Sequence, residues 1–358
     1  ILENSINAAK TASQVSSQGT APAKAELELA VSRNPQNWSF DLEGSEGKIN
    51  INMNLSQASI SDLKDQIKTR NALEFAKPDL IINFAAESHV DKSITNPRLF
   101  LESNTVGTFN LLEEVRDYWN KLSLNEKENF KFLHVSTDEV YGSLTKEGKF
   151  SENSPYLPSS PYSASKAASD HFVNSWHITY KIPTVIINCS NNYGPRQYPE
   201  KLIPLTIKNI INNIKIPIYG NGTNRRDWIY VDDHIDALFL TALNGSAGKK
   251  YCIGGGNDIS NIELVKLICK KLDQITKRKS KAELLIKFIK DRPGHDFRYS
   301  IDSRLIKKDL NWEPITSIDE GLDKTIKWYL NNPSWLKFFK NNVLSTSNHY
   351  QYGTLESI

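Results

Sequence analysis

Three short apolar runs with helical stretches between them constrain the fold of this chain more than any other feature. The runs cover residues 78–86, 130–137 and 182–190, and their composition is that of buried parallel strands. Helices are expected between them at 96–119 and 160–181. Strand, helix, strand, helix, strand in this order predicts an α/β fold with a doubly wound parallel sheet, which is a Rossmann-like arrangement.

Two closely packed domains are expected, because 358 residues exceed the usual size of one domain. Residues 49–195, with parts of 228–260, are assigned to the Rossmann-like domain, and 196–340 to a smaller α/β substrate-binding domain. Residues 1–48 have an atypical composition and are expected to form a helical or poorly ordered leader, and 341–358 are a tail.

Local patterns predict further elements on both sides of this region. A helix is expected at 61–75 with Ser61 as its N-cap, and another that ends at Leu243 and is capped by Asp232 or Asp233. The remaining expectations are helices at 202–214, 261–272 and 318–330, and strands at 216–219, 228–231, 250–253 and 284–289.

Charge, hydropathy and cysteine usage exclude several classes of protein. The formal charge of +3 is too small for a general nucleic-acid binder, and no apolar run reaches the roughly 20 residues that span a bilayer. The three cysteines have neither metal-site spacing nor the pattern of a disulfide framework. With no secretory signal visible, the sequence favours a cytoplasmic protein without nucleic-acid or membrane partners.

The distinctive polar residues follow the predicted strands, at the edge where open parallel sheets bind ligands. Residues 86–89 follow the first strand, Thr137, Asp138 and Glu139 end the second, and 190–195 end the third. Adjacent carboxylates suit opposite roles, because proximity and burial can keep one neutral while the other ionises.

Tyr162 and Lys166 stand four residues apart on a predicted helix and therefore share one face. An ammonium beside a phenol favours phenolate, so Lys166 is expected to lower the pKa of Tyr162 and make it a general base. Taken alone, such a pair is usually an ordinary helix face. His89 near Glu87 lacks a third metal ligand at useful spacing, and residues 254–256 lack the Lys-Ser/Thr of a phosphate loop, so no metal site is predicted.

Taken together and in this order, the motifs resemble those of the dTDP-glucose 4,6-dehydratases, a family of the extended short-chain dehydrogenase/reductase superfamily. The matching segments lie between residues 78 and 335, at 84–91, 136–142, 161–166, 188–195, 199–204, 226–228 and 291–296. The resemblance implies an NAD-dependent lyase that removes water from a nucleotide-activated hexose to give a 4-keto-6-deoxy sugar. The Asp-Glu pair distinguishes this reaction from that of the simple 4-epimerases of the superfamily.

The resemblance also implies a role for individual residues. Thr137 would hydrogen-bond the sugar 4-hydroxyl, Tyr162 would take its proton, Glu139 would remove the C5 proton, and Asp138 would protonate the departing 6-hydroxyl. Residues implied to line NAD are Ala85, Ala86, Ser88, Asn104, Tyr162 and Lys166. Residues implied to bind the nucleotide sugar, with dTDP-glucose expected, are Ser88, Asn191, Glu200, Lys201, Arg226, Arg292 and Tyr299. A homodimer formed through helices 97–119 and 160–181 is implied as well.

The sequence departs from the family pattern at its N-terminal side. Family members begin with a strand, a glycine-rich turn and a helix that together hold the NAD pyrophosphate. Here the only glycines before residue 75 are Gly19, Gly44 and Gly47, so the sheet is expected to be incomplete in its N-terminal half. Two alternatives stay open: a catalytically silent relative that binds a nucleotide sugar or a partner subunit, and a dehydratase or epimerase for another nucleotide sugar.

Overall fold

The computed structural model describes residues 65–336 and, nearer the N-terminus, the backbone of two strands at 37–44 and 47–54. The strands are β1 Asn37–Gly44, β2 Gly47–Asn54, β3 Leu80–Asn83, β4 Lys131–Thr137, β5 Thr184–Cys189, β6 Asn191–Tyr193, β7 Ile216–Tyr219, β8 Arg225–Tyr230, β9 Lys250–Ile253, β10 Asp258–Ser260 and β11 Ile286–Ile289. The predicted tail and most of the predicted leader lie outside the described residues. Residues 37–44 and 47–48 of that leader form strand, rather than the helix or poorly ordered segment that was expected.

Helices alternate with the strands over most of this range. They are α1 Gln66–Ala76, α2 Val90–Thr95, α3 Pro97–Phe100, α4 Gly107–Lys121, α5 Leu124–Asn129, α6 Pro161–Tyr180, α7 Leu202–Ile211, α8 Val231–Asn244, α9 Asn261–Thr276, α10 Arg304–Leu310 and α11 Ile318–Asn331. A π-helical segment, Leu101–Val106, joins α3 to α4, and 3-10 turns cover Asp138–Tyr141 and Ala282–Leu285. None of the helices in the described residues is long and apolar enough to cross a bilayer.

The central sheet is parallel in the order β3-β4-β5-β9, which confirms the predicted fold class. Every residue of β5 is buried, as expected for a strand covered on both faces. One apolar cluster, with Leu112, Phe132 and Val173, packs on α4 and α6; the other, with Leu133, Ile187 and Leu238, packs on α8.

The sheet is open on the side of β3. Among residues 65–336, β4 is the only strand paired with β3, while β1 and β2 form a separate antiparallel pair. The described part of the sheet therefore lacks strands beyond β3, in line with the sequence's missing glycine-rich segment.

Residues 193–336 supply a further apolar cluster that includes Tyr193, Ile207, Leu264 and Ile326. The cluster lies among α7, α9, α11 and the small sheets β10-β8-β6 and β11-β7. Because β6 directly follows β5, this part of the chain begins at the edge of the sheet where parallel strands end. The predicted domain boundaries at 195 and 340 remain a prediction.

The ends of two helices differ from the sequence expectation. Asp65, rather than Ser61, caps α1, because its carboxylate accepts hydrogen bonds from the backbone N–H groups of Ile67 and Lys68. Helix α8 begins at Val231 after Tyr230, so Asp232 and Asp233 lie in its first turn instead of capping it. The short elements α2, α5, α10, β6 and β10 were not predicted from the sequence, since runs of three to seven residues carry too little periodicity.

Candidate active site

A cavity of about 780 Å³ opens at the carboxyl ends of β4 and β5 and extends toward α7 and residue 292. It brings together every predicted site residue except Ala85 and Asn104. Those lining it are Ala86, Ser88, Thr137, Asp138, Glu139, Tyr162, Lys166, Asn191, Glu200, Lys201, Arg226, Arg292 and Tyr299. The first and the last of these residues, Ala86 and Tyr299, are more than 200 positions apart in the sequence but line the same cavity.

The two carboxylates are held by a tight turn at the end of β4. The hydroxyl of Thr137 accepts the N–H of Glu139 at 3.3 Å and donates to Asp138 Oδ1, also at 3.3 Å. The turn closes at Gly142, which has a φ of 81°, and a Cβ there would overlap the carbonyl oxygen of Leu157. Thr137 therefore holds the carboxylate of Asp138 and the backbone of Glu139, and glycine is needed where the turn ends.

Burial gives the two carboxylates different protonation preferences. Asp138 is only 1% exposed, and its Oδ2 has no hydrogen-bond partner among the described residues. Burial, followed by the charge of Glu139, raises the pKa of Asp138 well above its ordinary value. Burial also raises the pKa of Glu139, but the cations of Arg292, Arg226 and Lys201 oppose that shift. Asp138 is thus suited to donate a proton and Glu139 to accept one.

Helix α6 carries Tyr162 and Lys166 into the cavity. Its first turn is fixed by Pro161 and by a reciprocal cap between Ser160 and Ser163, and the ring of Tyr162 packs edge-on against Phe100 at 6.3 Å between centroids. Both side chains line the same cavity as the carboxylates, as predicted from their spacing.

The expected effect of Lys166 on Tyr162 is wrong for this arrangement. Burial and then the charge of Glu139 raise the pKa of Tyr162 well above its ordinary value, and a hydrogen bond with Thr137 opposes them only in part. The Lys166 ammonium donates to the carbonyl oxygen of Val135 at 2.8 Å, on the strand beneath the helix. Desolvation of the phenol, and not the charge of Lys166, therefore has the largest effect on the pKa of Tyr162.

Three cations on different elements face the cavity from the side opposite the sheet. Lys201 donates to the carbonyl oxygen of Ser88 at 2.7 Å, and a guanidinium N–H group of Arg292 lies 3.7 Å from Asp91. Arg226 lies over the ring of Tyr299, 4.3 Å from its centroid, and donates to the carbonyl oxygen of Asp296. A cluster of this kind can bind a diphosphate, because Arg offers paired donors and Lys a point charge.

Asn104 bonds the loop after β3, and its implied contact with NAD remains a prediction. It lies in the π-helical segment and does not line the cavity; its amide accepts the N–H of Glu87 at 2.8 Å and donates to the carbonyl oxygen of Glu87 and to Ser165. Ala85 also lies behind the cavity wall, with its N–H bonded to Asn83. Both residues hold the loop after β3 in place, while the cavity itself is lined by Ala86 and Ser88.

A buried polar network beneath Lys166 was not found by sequence reasoning. It consists of His134 on β4, Asp170 on α6, Asn188 on β5, and Tyr156. One pattern could have indicated this network, because Asp170 follows Lys166 by one helical turn on a face of the helix that must be buried.

His89, which the sequence analysis considered as a metal ligand, lies 3.6 Å from Glu200 and 3.8 Å from Asp91.

Comparison with known proteins places this site in a known group. The family model described as GDP-mannose 4,6 dehydratase matches residues 37–325. A probable dTDP-glucose 4,6-dehydratase of Sinorhizobium fredii is 52% identical over 285 residues, covering 80% of this chain and 81% of that protein. A dTDP-glucose 4,6-dehydratase of Escherichia coli is 50% identical, covering 77% and 80%. The crystal structure of DesIV from Streptomyces venezuelae, a dTDP-glucose 4,6-dehydratase with NAD and TYD bound, matches with a TM-score of 0.69 and 40% identity over 76% of this chain and 79% of that one.

Proposed function

Because this chain belongs to the family that the GDP-mannose 4,6 dehydratase model describes, we propose that it catalyses NAD-assisted loss of water from dTDP-glucose. The observation that carries the proposal is the placement of Asp138, Glu139 and Tyr162 around one cavity, where burial raises the pKa of both carboxylates and three cations oppose that shift at Glu139. An epimerase needs no such pair, whereas elimination of water needs one group that accepts a proton and another that donates one.

The cavity fits the nicotinamide end of NAD. Lys166 uses one of its three donors on Val135, which leaves N–H groups for ribose hydroxyls, and Ala86, Ser88 and Tyr162 would complete this part of the site. Bound there, NAD would supply the hydride chemistry of the reaction, as the acceptor at the sugar C4 and the donor at C6. The adenosine end would have to be held outside residues 65–336, whose open strand β3 carries no glycine-rich turn at its carboxyl end.

The residues of this chain would move protons in three places. Tyr162, in its phenolate form, would take the proton of the sugar 4-hydroxyl while Thr137 hydrogen-bonds the same oxygen, and loss of the C4 hydrogen as hydride makes C4 a ketone. The ketone acidifies the C5 hydrogen, and Glu139 removes that proton. Asp138 gives its proton to the 6-hydroxyl, which leaves as water when the C6–O bond breaks. Glu139 then returns a proton to C5 as C6 gains the hydride, which gives the 4-keto-6-deoxy sugar. The three cations Lys201, Arg226 and Arg292 hold the diphosphate, with Asn191, Glu200 and Tyr299 beside them.

The decisive experiment is to purify the chain, denature a portion, and measure released NAD, while the rest is assayed with dTDP-glucose in the presence and absence of added NAD⁺. We expect formation of the 4-keto-6-deoxy product. UDP-glucose and GDP-mannose serve as competing substrates for the choice of nucleobase and sugar. Tight binding of dTDP-glucose without any turnover, even with NAD⁺, would instead establish the silent relative.

We further propose that the chain works in the cytoplasm as a homodimer that pairs through the helices around 97–119 and 160–181. Three apolar side chains on these helices are exposed: Leu101 at 54%, Val106 at 41% and Ile178 at 59%. In the proposed dimer the partner subunit would cover them. The double change Leu101→Glu and Val106→Glu is expected to convert the dimer to monomers in analytical ultracentrifugation.

The matched control for the dimer is Leu124→Glu, since Leu124 is 83% exposed but lies on α5, outside these helices. It should leave the sedimentation coefficient unchanged. A double variant that still sediments as a dimer would refute the interface.

A further inference from the structure

The ammonium of Lys166 lies next to a buried polar network whose residues have no role in the proposed reaction. Lys166 is 4% exposed, Asp170 1% and His134 0%. A buried cation is costly unless an opposite charge accompanies it, so the charges in this network determine the state of Lys166.

Asp170 lies at the centre of this network. Its Oδ2 accepts hydrogen bonds from the hydroxyl of Tyr156 at 2.8 Å and from Asn188 Nδ2 at 3.0 Å. Its Oδ1 lies 3.4 Å from His134 Nε2, which in turn lies 3.4 Å from Lys166 Nζ. Helix α6 and strands β4 and β5 thus meet at one carboxylate.

The imidazole of His134 can be assigned a tautomer. The amide oxygen of Asn83 accepts the N–H of Ala85 at 3.1 Å, so its NH₂ group must face His134 Nδ1, 3.2 Å away. Nδ1 is therefore the acceptor, and the ring proton lies on Nε2, which is 3.4 Å from both Asp170 Oδ1 and Lys166 Nζ. Burial and the charge of Lys166 lower the pKa of His134 to about 4, so the ring is neutral near neutral pH.

The remaining groups around Lys166 leave Asp170 as its counter-charge. Cys189, at the end of β5, is neutral because burial raises its pKa to about 12. Burial lowers the pKa of Lys166, and the charge of Asp170 is the larger of the two influences that oppose it, the other being Cys189. Despite its own burial, Asp170 has a pKa below its ordinary value, because the hydrogen bond from His134 and the charges around it favour the carboxylate.

We infer that Asp170 is a positioning residue that keeps the Lys166 ammonium charged beneath the active site and so sets the alkaline end of the range in which the enzyme works. The inference rests on the proposed function, in which Lys166 acts in its charged form. Asp170 touches neither substrate nor cofactor; among the residues lining the cavity are Tyr162 and Lys166, but not Asp170.

The test compares Asp170→Asn with Tyr156→Phe and Asp170→Glu. Asp170→Asn removes the charge, Tyr156→Phe removes a hydrogen bond to the same Oδ2 while keeping the charge, and Asp170→Glu keeps the charge on a longer side chain. We expect the alkaline limb of the kcat profile to move to lower pH only in Asp170→Asn, with kcat at the alkaline end falling about tenfold. In Asp170→Glu, which keeps the charge, the alkaline limb should lie close to that of the wild type.

A second measurement reports on Lys166 without turnover. Lysine labelled with ¹³C at Cε is titrated by NMR, and the Lys166 signal is assigned by its absence in Lys166→Met. Its midpoint should fall in Asp170→Asn and stay unchanged in Tyr156→Phe. Equal loss of thermal stability in Asp170→Asn and Tyr156→Phe, with no movement of the midpoint or of the pH profile, would show a structural role only.

The NMR titration also separates this inference from the proposed function. An inactive wild-type chain whose Lys166 midpoint still falls in Asp170→Asn contradicts the dehydratase proposal and supports Asp170 as the counter-charge of Lys166. An active wild-type chain whose midpoint does not move refutes the role of Asp170 alone.

Discussion

Replacing Glu139 by Gln is expected to stop loss of water while leaving oxidation at the sugar C4 largely intact. Glutamine keeps the size and the hydrogen bond from the Glu139 N–H to Thr137, but it cannot accept the C5 proton. Loss of a general base typically costs about 10²–10⁴-fold in rate, and turnover should fall by that factor. Rapid-quench mass spectrometry should then find the 4-keto hexose accumulating before any 6-deoxy product.

Exchange of the C5 hydrogen with deuterated solvent separates the two carboxylates. In Glu139→Gln this exchange should cease, whereas in Asp138→Asn it should continue although water is not lost. Glu200→Gln is the matched control, because Glu200 lines the same cavity but pairs with Lys92 at 3.1 Å, and it should alter KM rather than exchange. Equal loss of C4 oxidation and water loss in Glu139→Gln would contradict the assignment.

Local patterns were sufficient to predict most of the fold that positions this site. Strand β4 and helix α6 fall within one or two residues of the predicted 130–137 and 160–181, because a buried apolar run and a Ser-Pro start are signals carried by neighbouring residues. The ordered strands then imply that polar residues at their carboxyl ends converge, and Thr137, Asp138 and Asn191 do line one cavity.

The side-chain partners that could not be predicted from the sequence lie far apart along the chain. Asn188 reaches Asp170 across 18 positions, and His134 reaches Asn83 across 51, so no local pattern marks them as partners. The same limit explains the error over Lys166: its spacing from Tyr162 places both on one helix face, but its ammonium bonds the backbone of β4. The bonds of the Asn104 amide to residue 87 also join distant segments, and its implied contact with the cofactor remains a prediction.

Replacing Tyr162 by Phe is expected to abolish the first oxidation, and with it every later step. The change removes only the hydroxyl, because the ring still packs against Phe100, so the thermal midpoint of unfolding should stay close to that of the wild type. Single-turnover loss of the C4 hydrogen, followed with C4-deuterated dTDP-glucose, should slow by about 10³-fold. Tyr219→Phe is the control, since Tyr219 also lines the cavity but bonds Asp91, and it should oxidise the sugar at a near wild-type rate. A Tyr162→Phe variant that keeps a rate within about tenfold of the wild type would assign the proton transfer to another group.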